Sequence, residues 1–293
     1  MSLESNRMIY DTLISVEQLA DAQQSAHPPL VLDCSFELTN LDAGQQAYDA
    51  GHIPGAAYIH LEHALSAEKT GKNGRHPLPS REVFARTMAD FGVTGDTQVV
   101  VYDNAGGMYA ARLWWMLRWA GHRAVAVLDG SIAAWKAAGQ KVTTEPSSAR
   151  PPGQFQLREP LITTVSYAQM KANVDSQEKL VLDARASDRF RGENETMDPV
   201  GGHIPGAKNR PFKDNLKPDG RFKSARQLRA EFDAITGGRA AARLVSQCGS
   251  GVTACHNLLA MEIAGLNGVA LYPGSWSEWS AQPGAPIATG PAV

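Results

Sequence analysis

Three cysteines in 293 residues, at positions 34, 248 and 255, are too few and too unevenly spaced for a disulfide framework or a four-ligand zinc site. A reducing compartment is the expectation. No run reaches the ~18 apolar residues that a membrane-spanning helix requires. The opening "MSLESNRMIYDTLISVEQL" carries charge early and has no apolar stretch ahead of a small-residue cleavage site. We therefore expect a cytoplasmic protein with no membrane partner. Neither sign of charge is in excess, since 28 Lys and Arg face 30 Asp and Glu for a net charge of −2. No Lys/Arg-rich run occurs, so the footprint of a nucleic-acid binder is absent and small molecules or proteins are the expected partners. What is present, 43% hydrophobic and 20% charged residues, is the composition of an ordinary globular protein whose length fits two domains.

The chain repeats itself. "LVLDCS" (30–35) returns as "LVLDAR" (180–185), "GHIPGA" (51–56) returns unchanged at 202–207, and "LDGSIAAW" (128–135) is answered by "YPGSWSEW" (272–279). Three pairs in the same order and at similar spacing point to duplication of one domain type. Each half alternates short buried β-runs ("LVLD", "TQVVVYD", "AVAVLDG"; "LVLD", "ARLVSQ", "GVALYPG") with helical segments ("GMYAARLWWMLRWAG"; "VTACHNLLAMEIAG"). That alternation predicts an α/β class, two tandem domains each with a parallel sheet flanked by helices. We place them at 10–145 and 155–290, joined through the Pro- and Ser-rich "TTEPSSARPPGQF" (143–155). In "GHIPGA" the Pro and second Gly serve the turn, and His52 and His203 read as structural hydrogen-bonders.

Within "SQCGSGVTACHN" (246–257), Cys248 stands in a loop of Gly, Ser and Thr between a β-run and a helix start. Laid over the first half with the Gly-Ser frames in register, the loop puts Asn104 opposite Cys248 and Gly107 opposite Gly251. An amide in the first copy argues that Cys248 is there for chemistry and not to pack the corner. A loop that leaves a parallel strand and enters a helix presents unpaired N–H groups and the positive end of the helix dipole, which stabilise a thiolate. Gly249 and Gly251 let the backbone curl, while Ser250 and Thr253 add hydroxyl donors around Val252. Cys34 in a core strand and Cys255 on an apolar helix read as small buried hydrophobes.

The loop "CGSGVTA" (248–254), both "GHIPGA" copies, "LVLDAR" and "GSWSEW" resemble the two-domain rhodanese family of sulfurtransferases, over about 260 residues. The loop is closest to the 3-mercaptopyruvate branch, because the basic residues that the thiosulfate branch usually carries after the cysteine are missing. The resemblance implies an enzyme without metal or organic cofactor. In it Cys248 takes sulfur from a small donor as a persulfide and passes it to cyanide or a thiol, thioredoxin among the candidates. It implies that Arg189 meets the donor's carboxylate, with the backbone of Gly249, Gly251, Val252 and Thr253 as anion cradle. It also implies that His76 in "GRHPLPS" relays protons with Ser250, and it puts Glu62 where the relay's acid belongs. Arg185 and Arg191 flank Arg189, and the first copy has no arginine there. The branch's second arginine has no counterpart in "ENETMDPV" (193–200), which is short and acidic. Thiosulfate as donor, or a non-catalytic sulfur carrier or binding module, are the alternatives. Phosphatases of this general fold place an arginine six residues after the cysteine, where this chain has Ala254.

Overall fold

The computed structural model describes residues 9–291, so the first eight residues of the opening stretch quoted above lie outside the described residues. Apolar runs too short for helices and buried on both faces become strands. In the first half these are β1 (Leu13–Ile14), β2 (Leu30–Asp33), β3 (Ala57–Tyr58), β4 (Val99–Tyr102) and β5 (Val125–Leu128). They pair in the order β1-β5-β4-β2-β3, every pairing parallel. The second half gives β6 (Leu180–Asp183), β7 (Lys208–Asn209), β8 (Leu244–Gln247) and β9 (Ala270–Leu271), in the order β7-β6-β8-β9 and again parallel. A single bridge from Thr164 to Leu271 stands where β1 pairs with β5. The expected pair of parallel-sheet α/β domains is what the chain forms.

The two "GHIPGA" histidines repeat one another in space. His52 stacks on Tyr48 at 3.7 Å with Nδ1 on the Tyr48 carbonyl at 2.8 Å, and His203 stacks on Phe190 at 3.7 Å with Nδ1 on the Phe190 carbonyl at 2.8 Å. Each ring staples its turn to the preceding helix, which is the structural role expected of it.

The helices that follow β4 and β8 build the domain interface. Ala110–Trp119 is buried from Ala110 through Arg118, and Thr253–Ile263 is buried from Ala254 through Met261. Both are covered on nearly all sides, and the polar residues they carry, Arg112, Arg118, His256 and Asn257, are buried with the rest. Each packs on its own sheet and on the other helix, so one hydrophobic cluster runs from Leu30, Trp114 and Trp115 through to Leu258 and Leu271. The C-terminal ends of β4 and β8 are thereby held close to the domain boundary, where parallel α/β sheets bind their ligands.

Candidate active site

Pairing register aligns the two loops. Asp33 of β2 pairs with Tyr102, and Asp183 of β6 pairs with Gln247, so the residue after Tyr102 is the counterpart of the residue after Gln247. That residue is Asp103, one position before the Asn104 expected opposite Cys248. A second contact fixes the same match. Ser131 donates its Oγ–H to Asp103 and Ile132 N–H bonds the Asp103 carbonyl, while Ser275 Oγ accepts from Cys248 N–H and Trp276 N–H bonds the Cys248 carbonyl. The slip arose because Asp103 precedes Gly130 by 27 positions and Cys248 precedes Gly274 by 26, so aligning on the Gly-Ser frames shifts the loop by one. Gly107 and Gly251 are accordingly not equivalent.

The first loop shows what this backbone binds. The buried Asp103 carboxylate accepts from Ala105 N–H at 2.8 Å and Gly107 N–H at 2.9 Å on Oδ1, and from Tyr109 N–H at 2.8 Å and Ala110 N–H at 2.9 Å on Oδ2. Four N–H groups close around one negative charge. In the second loop, among the described residues, the N–H groups of Gly249, Ser250, Gly251, Val252 and Thr253 have no protein acceptor. Cys248 occupies the place from which Asp103 reaches into its own loop. Gly251 makes the curl possible, since it sits at φ 77° and a Cβ there would lie 2.3 Å from the Pro273 carbonyl oxygen.

Cys248 lies at the floor of a cavity of about 300 Å³ with walls from both domains, including His76, Met108 and Tyr109 on one side and Arg185, Arg189 and Phe212 on the other. His76 Nδ1 is 2.7 Å from Ser250 Oγ across the boundary, so the expected Ser–His pair is formed. Burial, reinforced by the nearby Arg112, Arg75 and Lys69 charges, pulls the His76 pKa down to about 3, so the imidazole is neutral. Its Nε2 has no hydrogen-bond partner and points toward Glu62, whose Oε1 is 3.8 Å away and already holds Lys69 Nζ at 2.6 Å. With a neutral ring that spacing is a contact and not an ion pair, so Glu62 faces the histidine without bonding it.

Beneath the loop lies a residue the sequence reasoning passed over. Arg112, wholly buried, donates from Nη1 to the Gly251 carbonyl at 3.0 Å and from Nη2 to the His76 carbonyl at 3.0 Å. No carboxylate pairs with it among the described residues; burial pulls its pKa below the ordinary arginine value, and the neighbouring Cys255 and Cys248 sulfurs oppose that shift.

The arginines separate into three roles. Arg185 is structural: it pairs with Asp183 at 2.7 Å, holds the Gly202 carbonyl at 2.6 Å and lies 4.6 Å over the Trp276 ring. Arg191 makes an exposed pair with Glu193 at 2.7 Å. Arg189 lines the cavity, with Glu195 at 3.0 Å and Asp198 at 3.1 Å on its outer edge. Two of the acidic loop's three carboxylates, Glu195 and Asp198, thus turn inward and are nearly wholly buried against guanidinium groups. A guanidinium from the first domain also reaches the site, that of Arg75, and sequence reasoning missed it because its partner Asp198 lies 123 residues away.

The other two cysteines are buried as expected. Burial raises the Cys34 pKa well above normal, and it raises that of Cys255 to about 12 against the lowering effect of Arg112. The Cys255 thiol donates to the Gly251 carbonyl at 3.3 Å, bracing the loop from behind.

Known proteins are similar to this chain over most of its length. Residues 15–138 and 166–282 each match the family described as rhodanese-like domain. The chain is 48% identical over 280 residues to "Probable 3-mercaptopyruvate sulfurtransferase" of Pseudomonas aeruginosa, covering 95% of this chain and 98% of that one. It is 37% identical to "Thiosulfate sulfurtransferase" of Mus musculus, covering 94% and 93%. Among solved structures, 3-mercaptopyruvate sulfurtransferase from Leishmania major superposes with a TM-score of 0.82 at 30% identity, covering 94% of this chain and 76% of that one. Among the described residues no helix is long and apolar enough to cross a membrane. With its paired sheets, duplicated loops and both segments matched, the chain belongs to the rhodanese-like domain family.

Proposed function

We propose that the protein is a sulfurtransferase that loads a sulfur atom onto Cys248 from 3-mercaptopyruvate and delivers it to a thiol or cyanide. The observation that carries this reading is the pair of loops. One closes four N–H groups on a carboxylate, and its counterpart offers five N–H groups without a protein acceptor around a cysteine. Such a cradle holds a persulfide anion through fixed dipoles that need no rearrangement during reaction.

In the loading step the Cys248 thiolate attacks the donor sulfur. The S–S bond forms as the donor's C–S bond breaks, and its electron pair leaves as the pyruvate enolate. The sulfhydryl proton ends on the enolate, so thiolate and mercaptopyruvate give persulfide anion and pyruvate. Ser250, hydrogen-bonded to neutral His76, is placed to pass that proton. Arg189 meets the donor carboxylate through Nη1, since Glu195 and Asp198 hold its Nε and Nη2. In the second step the acceptor attacks the outer sulfur and Cys248 is released as thiolate.

Thiosulfate is the second reading, favoured by the two arginines beside the loop, since its leaving sulfite keeps two negative charges. Three undisulfided cysteines support a reducing, cytoplasmic setting and an acceptor of the thioredoxin class. Two units at 10–145 and 155–290, the second supplying the nucleophile, complete the proposal.

Intact mass after incubation with each donor tests it. One added sulfur, about 32 Da, is expected on the wild type and none on Cys248→Ser, whose hydroxyl is hardly ionised at neutral pH. No adduct with either donor would leave a binding module.

A further inference from the structure

The helices that follow the two loops meet behind the cysteine. Tyr109 and Val252 stand immediately before them, and Arg112 N–H bonds the Tyr109 carbonyl at 3.0 Å as Cys255 N–H bonds the Val252 carbonyl at 3.0 Å. Arg112 and Cys255 are therefore counterparts in the duplicated fold, and both side chains reach the same atom. The Gly251 carbonyl oxygen accepts from Arg112 Nη1 at 3.0 Å and from the Cys255 thiol at 3.3 Å, which uses both of its lone pairs. The other arm of the guanidinium, Nη2, bonds the His76 carbonyl at 3.0 Å and reaches the Leu65 carbonyl at 3.4 Å. One planar fork of fixed spacing thus ties the loop that carries Cys248 to the segment that brings His76 to Ser250.

Burying a guanidinium is costly unless opposite charge answers it, and here the side chain's acceptors among the described residues are all backbone carbonyls. Cys255 and Cys248 lie near enough for both sulfurs to favour its charged form. Arg112 does not line the cavity, so its charge acts on the loop from behind. The carbonyl it grips belongs to the cradle. Gly251 C=O and Val252 N–H are opposite ends of one planar peptide group. That N–H is among the five without a protein acceptor, and Val252 lines the cavity. A cation on the carbonyl draws electron density away from the N–H end and makes it a stronger donor.

We propose that Arg112 is a positioning residue for the sulfur chemistry of Cys248: held across the domain boundary on the Gly251 and His76 carbonyls, its buried charge polarises the Gly251–Val252 peptide and so strengthens the N–H cradle around a sulfur anion. For a persulfide anion the proposal rests on the sulfurtransferase reading. For the thiolate it does not.

The test is the pH dependence of Cys248 alkylation by iodoacetamide, followed by peptide mass mapping, in wild type, Arg112→Lys and Arg112→Gln. Lysine keeps the charge and glutamine keeps only a neutral donor. The midpoint of the rate–pH profile should move up by about one unit in Arg112→Gln and stay close to wild type in Arg112→Lys. Arg112→Met, neutral and of similar reach, gives the same reading where Arg112→Gln does not fold. In turnover Arg112→Gln should lower kcat about tenfold and leave the donor KM close to wild type, because Arg112 touches no donor. A residue that only staples the domains acts through its bonds and would lower unfolding free energy in urea without moving the midpoint. An unmoved midpoint in the neutral variants, an equal rise in Arg112→Lys, or a loss confined to KM would overturn the proposal. Failure of the sulfurtransferase reading looks different: no sulfur adduct from either donor on the wild type, with the alkylation midpoint still moving in Arg112→Gln.

Discussion

Replacing Asp103 by alanine tests the claim that these loops are built around an anion. The carboxylate is wholly buried and satisfies four backbone N–H groups, two per oxygen, as well as the Ser131 hydroxyl. Alanine leaves those donors facing a methyl group. With each of the four orphaned N–H groups costing about 1 kcal/mol after partial rehydration, at the low end for buried groups, and the Ser131 hydroxyl free to rotate, the loss is about 4 kcal/mol. At about 2–4 °C per kcal/mol for a large domain, the midpoint of thermal unfolding should fall by about 10 °C. Asp103→Asn keeps one oxygen for two of the N–H groups and turns an NH₂ against the others, so its loss should be at least half as large. Urea unfolding followed by tryptophan fluorescence reads the change directly, because Trp114 and Trp115 are buried on the helix that this loop starts. Added acetate should restore part of the loss in Asp103→Ala by entering the emptied cradle, and should not affect the wild type. A loss below about 1 kcal/mol, or no response to acetate, would refute the view that the loop needs a negative charge at its centre.

Buried histidines set the pH dependence. His76, near 3, and His256, pulled down to about 4 by burial, take up protons later in the folded chain than an unfolded imidazole near 6.5. The unfolded state therefore binds protons first as pH falls, so stability is full above about 6.5 and declines toward 4, by a few kcal/mol in order of magnitude. Urea titrations at pH 7.5, 6 and 5 should show the decline, and His76→Asn should flatten it; a constant unfolding free energy over that range would contradict the assignment. For Ser250→Ala we expect turnover with mercaptopyruvate to fall about 100-fold and turnover with thiosulfate to change little, because only the enolate needs a proton. Equal losses on both donors in steady-state assays would place Ser250 in the cradle and not in a relay.

Much of the fold could be read along the chain because its signals are local. "LVLD" is too short and too apolar to be anything but a buried strand, and the unchanged "GHIPGA" reports a turn that recurs wherever its neighbours recur. The nucleophile was visible for the same reason: strand, glycine loop and helix are consecutive, so Cys248 sits at an end of a sheet whatever surrounds it. The exact frame was not local. Asp103 is an ordinary acid before a glycine-rich loop, and only strand pairing, which counts residues from the sheet and not from the glycines, makes it the counterpart of Cys248.

The sequence by itself determined the duplication, the two parallel sheets, the cysteine in its loop, and an arginine after β6, all properties carried within a few dozen consecutive residues. The tertiary structure decided which charges meet. Arg75 and Asp198 are 123 residues apart, His76 and Ser250 are 174 apart, and Arg112 reaches the Gly251 carbonyl 139 residues away. Each of these contacts crosses the boundary between domains and exists because two helices covered on nearly all sides bury each other there. An ion pair or relay needs partners within a few ångströms, and linear spacing is blind to that distance once the partners belong to separately folded units. The acidic loop shows this most plainly, since only packing reveals that Glu195 and Asp198 bond Arg189, that Asp198 also bonds Arg75, and that both arginines approach Gly249.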